Sequence, residues 1–223
     1  MYILAFDTTA SACSIILCQN NSVLAKYEQV MEFGQSEVLL PEIQKMLTEQ
    51  NITFADIHAL FVCVGPGSFT GVRSSVSAAR TFQIACPNLC LGGVSAFDAY
   101  VSCLLPEELT DTNVVIIETK RDDFYVQIFD SNLQKTTLPQ ALPYNEIISL
   151  LKGKKVTLIG DGVERFLSSP SGLSLHCIKI MQHLDISALV KVGIRQYNDK
   201  RLDYPKPLYL RAPDVCLPKV SQS

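Results

Sequence analysis

The segment that most constrains the fold is residues 65–71, which read GPGSFTG and join two stretches of different character. The apolar run before it, ALFVCV at 59–64, is typical of a buried strand, and residues 72–85 after it have helical periodicity. Three glycines in seven residues are costly to order, so this turn must require an unusual backbone conformation or a close approach of the backbone to another group. A strand, a glycine turn and a helix in this order predict an α/β fold.

More elements precede and follow this unit. Apolar stretches separated by short polar breaks predict three strands, at residues 2–6, 12–18 and 22–30. A helix is predicted over residues 35–50, with Ser36 as its N-cap. A short strand and a helix capped by Ser95 complete the first hundred residues, whose order is therefore β-β-β-α-β-α-β-α.

The second half repeats this succession of strands and then helices, which predicts a protein of two lobes. Residues 1–104 form the first predicted lobe and residues 105–203 a smaller second one. Residues 204–223 contain four prolines, so they cannot form a regular helix. We predict that they form an extended tail that packs back on the fold.

The composition is typical of a folded protein, because 48 % of the 223 residues are apolar and 18 % are charged. No apolar run is long enough for a membrane span and no signal peptide is visible, so we expect a cytoplasmic protein without a membrane partner. The eight cysteines include no C-x-x-C pair, which predicts reduced, buried thiols. The net charge of −3 disfavours a chain that binds nucleic acid on its own.

Metal chemistry has little support in this sequence. The three histidines, His58, His176 and His183, do not show the spacing of a zinc-binding motif. We therefore expect no metal site, and the missing ligands oppose a metallopeptidase.

The glycine loop at 65–71 supports two interpretations. Its spacing G-x-G-x-x-x-G fits neither the Rossmann nor the Walker A motif. A glycine turn before a helix can still bind a phosphate through backbone N–H groups, and the candidates here are Gly67, Ser68, Gly71 and Arg73. The alternative is a tight structural turn in which a serine or threonine caps the helix.

The turn after the first strand is a second candidate site. Asp7, Thr8 and Thr9 place one carboxylate and two hydroxyls between the first two strands. These groups can contact a phosphate and a hydrated magnesium ion, or they can form an Asx turn that closes a hairpin.

Five segments, in order, resemble one family: ILAFDTTASACSIIL, GPGSFTGVR, ETKRDDFYVQ, LIGDG and PLYLRAPDV. Together they are similar to the TsaB family, also called YeaZ, of bacterial tRNA threonylcarbamoyladenosine synthesis. The resemblance implies the two-lobed actin-like fold of hexokinase and the Hsp70 ATPase, with its ribonuclease H-like motif, and a shortened second lobe.

The resemblance also implies a function. Members are non-catalytic paralogues of the subunit TsaD, and with TsaD and the ATPase TsaE they support transfer of a threonylcarbamoyl group to adenosine 37 of tRNA. Gln35 stands where many relatives keep a histidine, which agrees with a lost metal site. The resemblance implies no required cofactor and contact with tRNA only through the complex, while a weak ATP or ADP contact stays open.

A small-molecule kinase, or another nucleotide-binding protein of the same fold, is the alternative. It would need a second phosphate loop and an adenosine pocket in the second lobe. The candidate segment there is GDGVER at 160–165.

A partner surface is predicted on the helix at 72–85. Its outer face on a helical wheel carries small, uncharged residues: Ser74, Ser77, Ala78, Thr81 and Ala85. A solvated helix face normally carries Lys and Glu. On the neighbouring helix, Val38 and Leu40 lie beyond the apolar stripe. We expect this surface to form a homodimer when the chain is alone, or to pair with a TsaD-type subunit.

Overall fold

The first half of the chain forms a five-stranded sheet with helices on both faces. The structure, a computed structural model, describes residues 1–20 and 22–211. The elements of the first half are β1 (Tyr2–Asp7), β2 (Ala12–Gln19), β3 (Ser22–Val30), α1 (Gln35–Glu49), β4 (Ile57–Cys63), α2 (Phe69–Ala85), β5 (Cys90–Val94) and α3 (Ala96–Val101). The strand order is β3-β2-β1-β4-β5, with β1–β2 and β2–β3 antiparallel and the other pairs parallel.

The second half repeats this arrangement. Its elements are β6 (Asn113–Glu118), β7 (Asp123–Phe129), β8 (Gln140–Pro143), α4 (Tyr144–Leu151), β9 (Lys155–Gly160), α5 (Val163–Leu167), β10 (Ser174–Ile180) and α6 (Ile186–Asn198). The sheet order β8-β7-β6-β9-β10 has the same mixture of antiparallel and parallel pairs. The second lobe is shortened in its helices, since α4 and α5 have 8 and 5 residues against 15 and 17 for α1 and α2.

Alternation along the strands places the two lobes around a shared layer of helices. In β1, Leu4 packs under α1 and α2, while Ile3 on the opposite face joins a core with α3 and α6. In β6, Val115 reaches the same core and Val114 faces α4 and α5. The helices α3 and α6 therefore lie between the two sheets.

Helix α6 follows the second sheet in sequence but packs mainly on the first. Gly193 on α6 allows this close approach, because a methyl group there would overlap the ring of Phe61 on β4. The lobe boundaries at residues 104 and 203 stay predictions. Residues 204–211 run over the first lobe as neither helix nor strand, and residues 212–223 of the predicted tail lie outside the described residues.

Some local predictions are confirmed and others are wrong. Ser95 caps α3 as predicted, since its hydroxyl accepts a hydrogen bond from the Phe97 N–H. Ser36 does not cap α1, whose N-cap is Gly34 in a left-handed conformation. The strands β8 and β10 were not predicted, and α3, predicted to reach about residue 104, ends at Val101.

Two further observations concern the expectations from composition. None of the described helices is long and apolar enough to cross a membrane. The seven described cysteines are all unpaired, three of them buried and four half-buried, and Cys216 lies outside the described residues.

Candidate functional site

The glycine loop and the turn after β1 bind each other at one end of the first sheet. The N–H of Ser68 donates to the carbonyl of Thr9 over 2.7 Å. The hydroxyl of Thr8 donates to the carbonyl of Gly71, also over 2.7 Å. The Ser68 hydroxyl accepts the N–H of Gly71 at 3.3 Å and so caps α2. The N–H groups of Ser68 and Gly71, two of the donors that a phosphate loop would present to a ligand, are therefore engaged within the chain.

The spacing of the glycines follows from this contact. A methyl group on Gly67 would overlap the carbonyl of Thr9, and one on Gly71 would overlap the carbonyl of Thr8. Both glycines are therefore required by the close approach of two backbone segments.

Asp7 and Thr8 lie behind this contact and are almost completely buried. The Asp7 carboxylate accepts the N–H of Thr9 at 2.8 Å, and burial raises the pKa of this carboxyl above its usual range. Thr8 contacts the buried Ser75 of α2 twice: the two hydroxyl oxygens are 2.7 Å apart, and the Thr8 N–H donates to Ser75 Oγ over 3.2 Å. These contacts fix the start of α2 relative to β1.

Arg73 does not point towards the turn at 7–9. Its side chain is exposed, its guanidinium lies 3.8 Å from the centre of the Phe69 ring, and its Nε donates to the Tyr209 hydroxyl over 3.1 Å. Among the predicted phosphate-binding residues, Thr9, Gly67, Ser68 and Gly71 line a common cavity. Asp7, Thr8 and Arg73 are not part of its lining.

This cavity, of about 750 Å³, is the cleft between the two lobes. Its walls come from both lobes and from the C-terminal segment: residues 9–11, 32–36, 66–71, 117–121 and 208–211. Tyr100 and Asp161 also line it. Asp161 belongs to the segment at 160–165 that the kinase alternative would use, whereas Tyr100, 61 positions away, was not identified from the sequence.

Tyr100 and Asp161 bring two polar groups from different lobes together in the cleft. Tyr100 is 2 % exposed, and its hydroxyl makes no hydrogen bond within residues 1–20 and 22–211. The Asp161 carboxylate accepts the N–H of Glu118 at 2.9 Å. Burial raises the pKa of Asp161 to about 7, with a further upward contribution from the negative charge of Glu118.

At the end of β6, the corresponding position in the second lobe, an ion pair forms. Arg165 donates to both oxygens of Glu118, over 2.6 and 2.8 Å, and its guanidinium lies 3.8 Å from the centre of the Phe124 ring. The carboxylate at the end of β6 is thus neutralised by its own lobe. In the segment at 160–165, both charged side chains that face β6, Asp161 and Arg165, contact Glu118.

The predicted partner surface divides as follows. On the outer side of α2, Ser77, Thr81 and Ala85 are exposed, while Ser74 and Ala78 are half-buried. On α1, Leu40 is exposed and Val38 half-buried. Their use as an interface stays a prediction.

We predict that Thr8→Val lowers the free energy of unfolding by about 1–3 kcal/mol, because it leaves buried polar partners on α2 without their hydrogen bonds. Urea denaturation measures this. Thr70→Val, an exposed threonine of the same loop region, is the control and should change stability far less. Equal losses for the two variants would contradict the structural role of Thr8.

We predict that the pKa of Asp161 makes stability pH-dependent. The folded protein retains the Asp161 proton up to about pH 7, whereas the unfolded chain loses it near 3.8. The contribution of this carboxyl is therefore fully present below pH 3.8 and is lost as the pH rises towards 7. Asp161→Asn should be more stable than the wild type at pH 8 and lose this advantage towards pH 4. Asp111→Asn, at an exposed carboxylate, is the control; an advantage independent of pH would contradict the shift.

Comparisons with known sequences identify the family of this chain. The family described as "TsaD: tRNA N6-adenosine threonylcarbamoyltransferase" matches residues 33–193. The tRNA threonylcarbamoyladenosine biosynthesis protein TsaB of Escherichia coli is 40 % identical over 80 residues, which are 36 % of this chain and 34 % of that protein. Its Bacillus subtilis counterpart is 33 % identical over 81 residues, 36 % of this chain and 35 % of that protein. The chain thus spans about a third of the length of these curated relatives.

Solved structures show the fold. YeaZ from Pseudomonas aeruginosa superposes with a TM-score of 0.79 at 19 % identity, over 94 % of this chain and 99 % of that one. The ethanolamine utilisation protein EutJ of Carboxydothermus hydrogenoformans gives a TM-score of 0.51 at 8 % identity, over 85 % and 88 %. The predicted two-lobed actin-like fold is confirmed. Because the family match covers well over half of the chain and its named relatives are TsaB proteins, the chain belongs to the TsaD family, in its TsaB/YeaZ branch.

Proposed function

We propose that this chain is a non-catalytic subunit in the threonylcarbamoylation of adenosine 37 in tRNA. It acts with a TsaD-type catalytic subunit and a TsaE-type ATPase, and it reaches tRNA only within that complex. The observation that carries the proposal is the similarity to TsaB proteins of tRNA threonylcarbamoyladenosine biosynthesis, at 33–40 % identity. In this proposal the chain itself needs no cofactor.

The contacts around the glycine loop support a non-catalytic role. A kinase of this fold would hold phosphate between loops of both lobes. Here the glycine loop of the first lobe is hydrogen-bonded to the turn at Thr8 and Thr9. In the second lobe, Glu118 at the end of β6 is paired with Arg165. Each group would have to leave its partner before it contacted a ligand, which disfavours the kinase alternative.

The outer face of α2 supports a role in docking. It presents small side chains and one large apolar residue, Ile84, which is 81 % exposed. On α1, Leu40 is also exposed. Small side chains let a second helix approach closely, to about 8 Å between axes. A TsaD-type subunit of the same fold, or a second copy of this chain, can present a matching pair of helices.

Reconstitution tests the proposed function. We expect no threonylcarbamoyladenosine from this chain with donor and tRNA, and its formation once a TsaD-type subunit and a TsaE-type ATPase are added. Omission of this chain from the complete mixture should abolish the product. Product formed without a TsaD-type subunit would show that the chain is catalytic, and full yield without this chain would show that it is dispensable.

A substitution on α2 tests the docking surface. We predict that Ser77→Arg abolishes binding to the TsaD-type subunit and weakens self-association, because a long charged side chain would occupy the approach of the partner helix. Sedimentation velocity measures both. Ser149→Arg, an exposed helical serine on α4, is the matched control and should associate as the wild type does. Normal association of folded Ser77→Arg would exclude this interface.

A further inference from the structure

The described part of the C-terminal tail connects the two lobes. Residues 202–211 leave the end of α6, cross the first lobe beside β5 and α2, and reach the hairpin between β6 and β7. We propose that these residues, called the strap below, fix the opening of the cleft between the lobes. The strap thus takes the place that a bound ligand has in two-lobed proteins that close on their substrates.

Main-chain hydrogen bonds attach the strap to the first lobe. The N–H of Gly93 on β5 donates to the carbonyl of Asp203 over 2.8 Å. Further along, the N–H of Leu208 donates to the carbonyl of Val64, just after β4, also over 2.8 Å. The two bonds are five residues apart along the strap, so they fix its position and its direction.

An arginine of α2 adds a side-chain attachment between these two bonds. Arg80 donates to the carbonyl of Pro205 through Nε, at 3.1 Å, and through Nη2, at 2.6 Å. Its guanidinium carbon lies 5.1 Å from the centre of the Tyr204 ring. Because both nitrogens contact one carbonyl oxygen, the strap is held against α2 as well as against the sheet.

The strap passes close to the glycine pair of β5. A methyl group on Gly92 would overlap the side chain of Leu202, and one on Gly93 would lie 2.8 Å from the Cα of Pro205. Glycine in a strand interior is unfavourable and often marks the close approach of another backbone. A methyl group on Gly93 would also lie 2.7 Å from Cγ1 of Val64, so the strand accommodates the strap on one side and the segment after β4 on the other.

The far end of the strap contacts the second lobe and forms one wall of the cleft. The ring of Tyr209 is 5.1 Å from that of Phe69 in the first lobe. Two residues later, Arg211 forms an ion pair with Asp123 at the start of β7 and lies beside the ring of Tyr125. Leu208, Tyr209, Leu210 and Arg211 all line the cleft. Any widening of the cleft must therefore separate Arg211 from Asp123 or displace the strap from the first lobe.

Two variants in the full-length chain test the strap from its opposite ends. Asp123→Asn removes the ion pair in the second lobe, and Gly93→Ala places a methyl group against Pro205 of the strap and against Val64. The readouts are hydrogen exchange by mass spectrometry and the radius of gyration from small-angle X-ray scattering. We expect both variants to exchange several-fold faster at residues 66–71 and 119–121 and to have a larger radius of gyration, with β1 and β6 protected as in the wild type.

A control variant separates this effect from others. Asp122→Asn removes a neighbouring exposed carboxylate and should behave as the wild type. Unchanged exchange and size in folded Asp123→Asn would overturn the proposal, and so would equally increased exchange in β1 and β6. If Gly93→Ala does not fold, Asp123→Asn decides alone.

Discussion

The structure of the first lobe depends on the buried contact between Thr8 and α2. Its hydroxyl meets the Gly71 carbonyl and the Ser75 hydroxyl in a region without solvent access, where an unpaired polar group is costly. The position of α2 relative to β1 is therefore fixed. The same contact determines which side of α2 faces outward, so the proposed docking surface is a consequence of an interaction on the opposite side of the helix.

The two lobes share one turn after their first strand, but the carboxylate in that turn has different partners in each lobe. In each lobe a carboxylate ends the first strand and accepts the N–H two residues later: Asp7 from Thr9 at 2.8 Å, and Glu118 from Lys120 at 2.6 Å. In the first lobe the other side chains that stabilise the Asp7 carboxylate are the hydroxyl of Thr9 and the thiol of Cys63. In the second lobe Arg165 neutralises the acid. Each lobe thus provides partners for the carboxylate at the end of its own first strand, and the strap forms the wall of the cleft between the lobes.

Local sequence patterns predicted secondary structure correctly where the conformation of a segment is determined by residues adjacent to it in the chain. The run before Gly65, the helix that follows it and the cap at Ser95 were all predicted correctly. The edge strand β10 was missed because His176 and Lys179 interrupt its apolar pattern, and both contact groups from distant parts of the chain. Gly34 replaces Ser36 as the N-cap of α1 because the chain turns there with a positive φ.

Other features depend on contacts between distant residues and could not be predicted. Tyr100 and Asp161 line one cleft only after both lobes have formed, and the glycine pair of β5 lies against Val64 and the strap, which are distant from each other in the chain. In the candidate site, the sequence identified the glycine loop and the turn after β1, but it did not show that they form hydrogen bonds with each other. Whether such groups bind each other or a ligand depends on the direction of the side chains, which residue spacing does not give.

The most direct test of this account is a titration of the isotopically labelled chain with Mg·ATP and Mg·ADP, followed through the amide resonances of residues 65–71. If the loop contacts the turn as described, these resonances will not shift in a saturable way at millimolar nucleotide. Saturable shifts of Ser68 and Gly71 would mean that the loop binds phosphate, and would contradict the account.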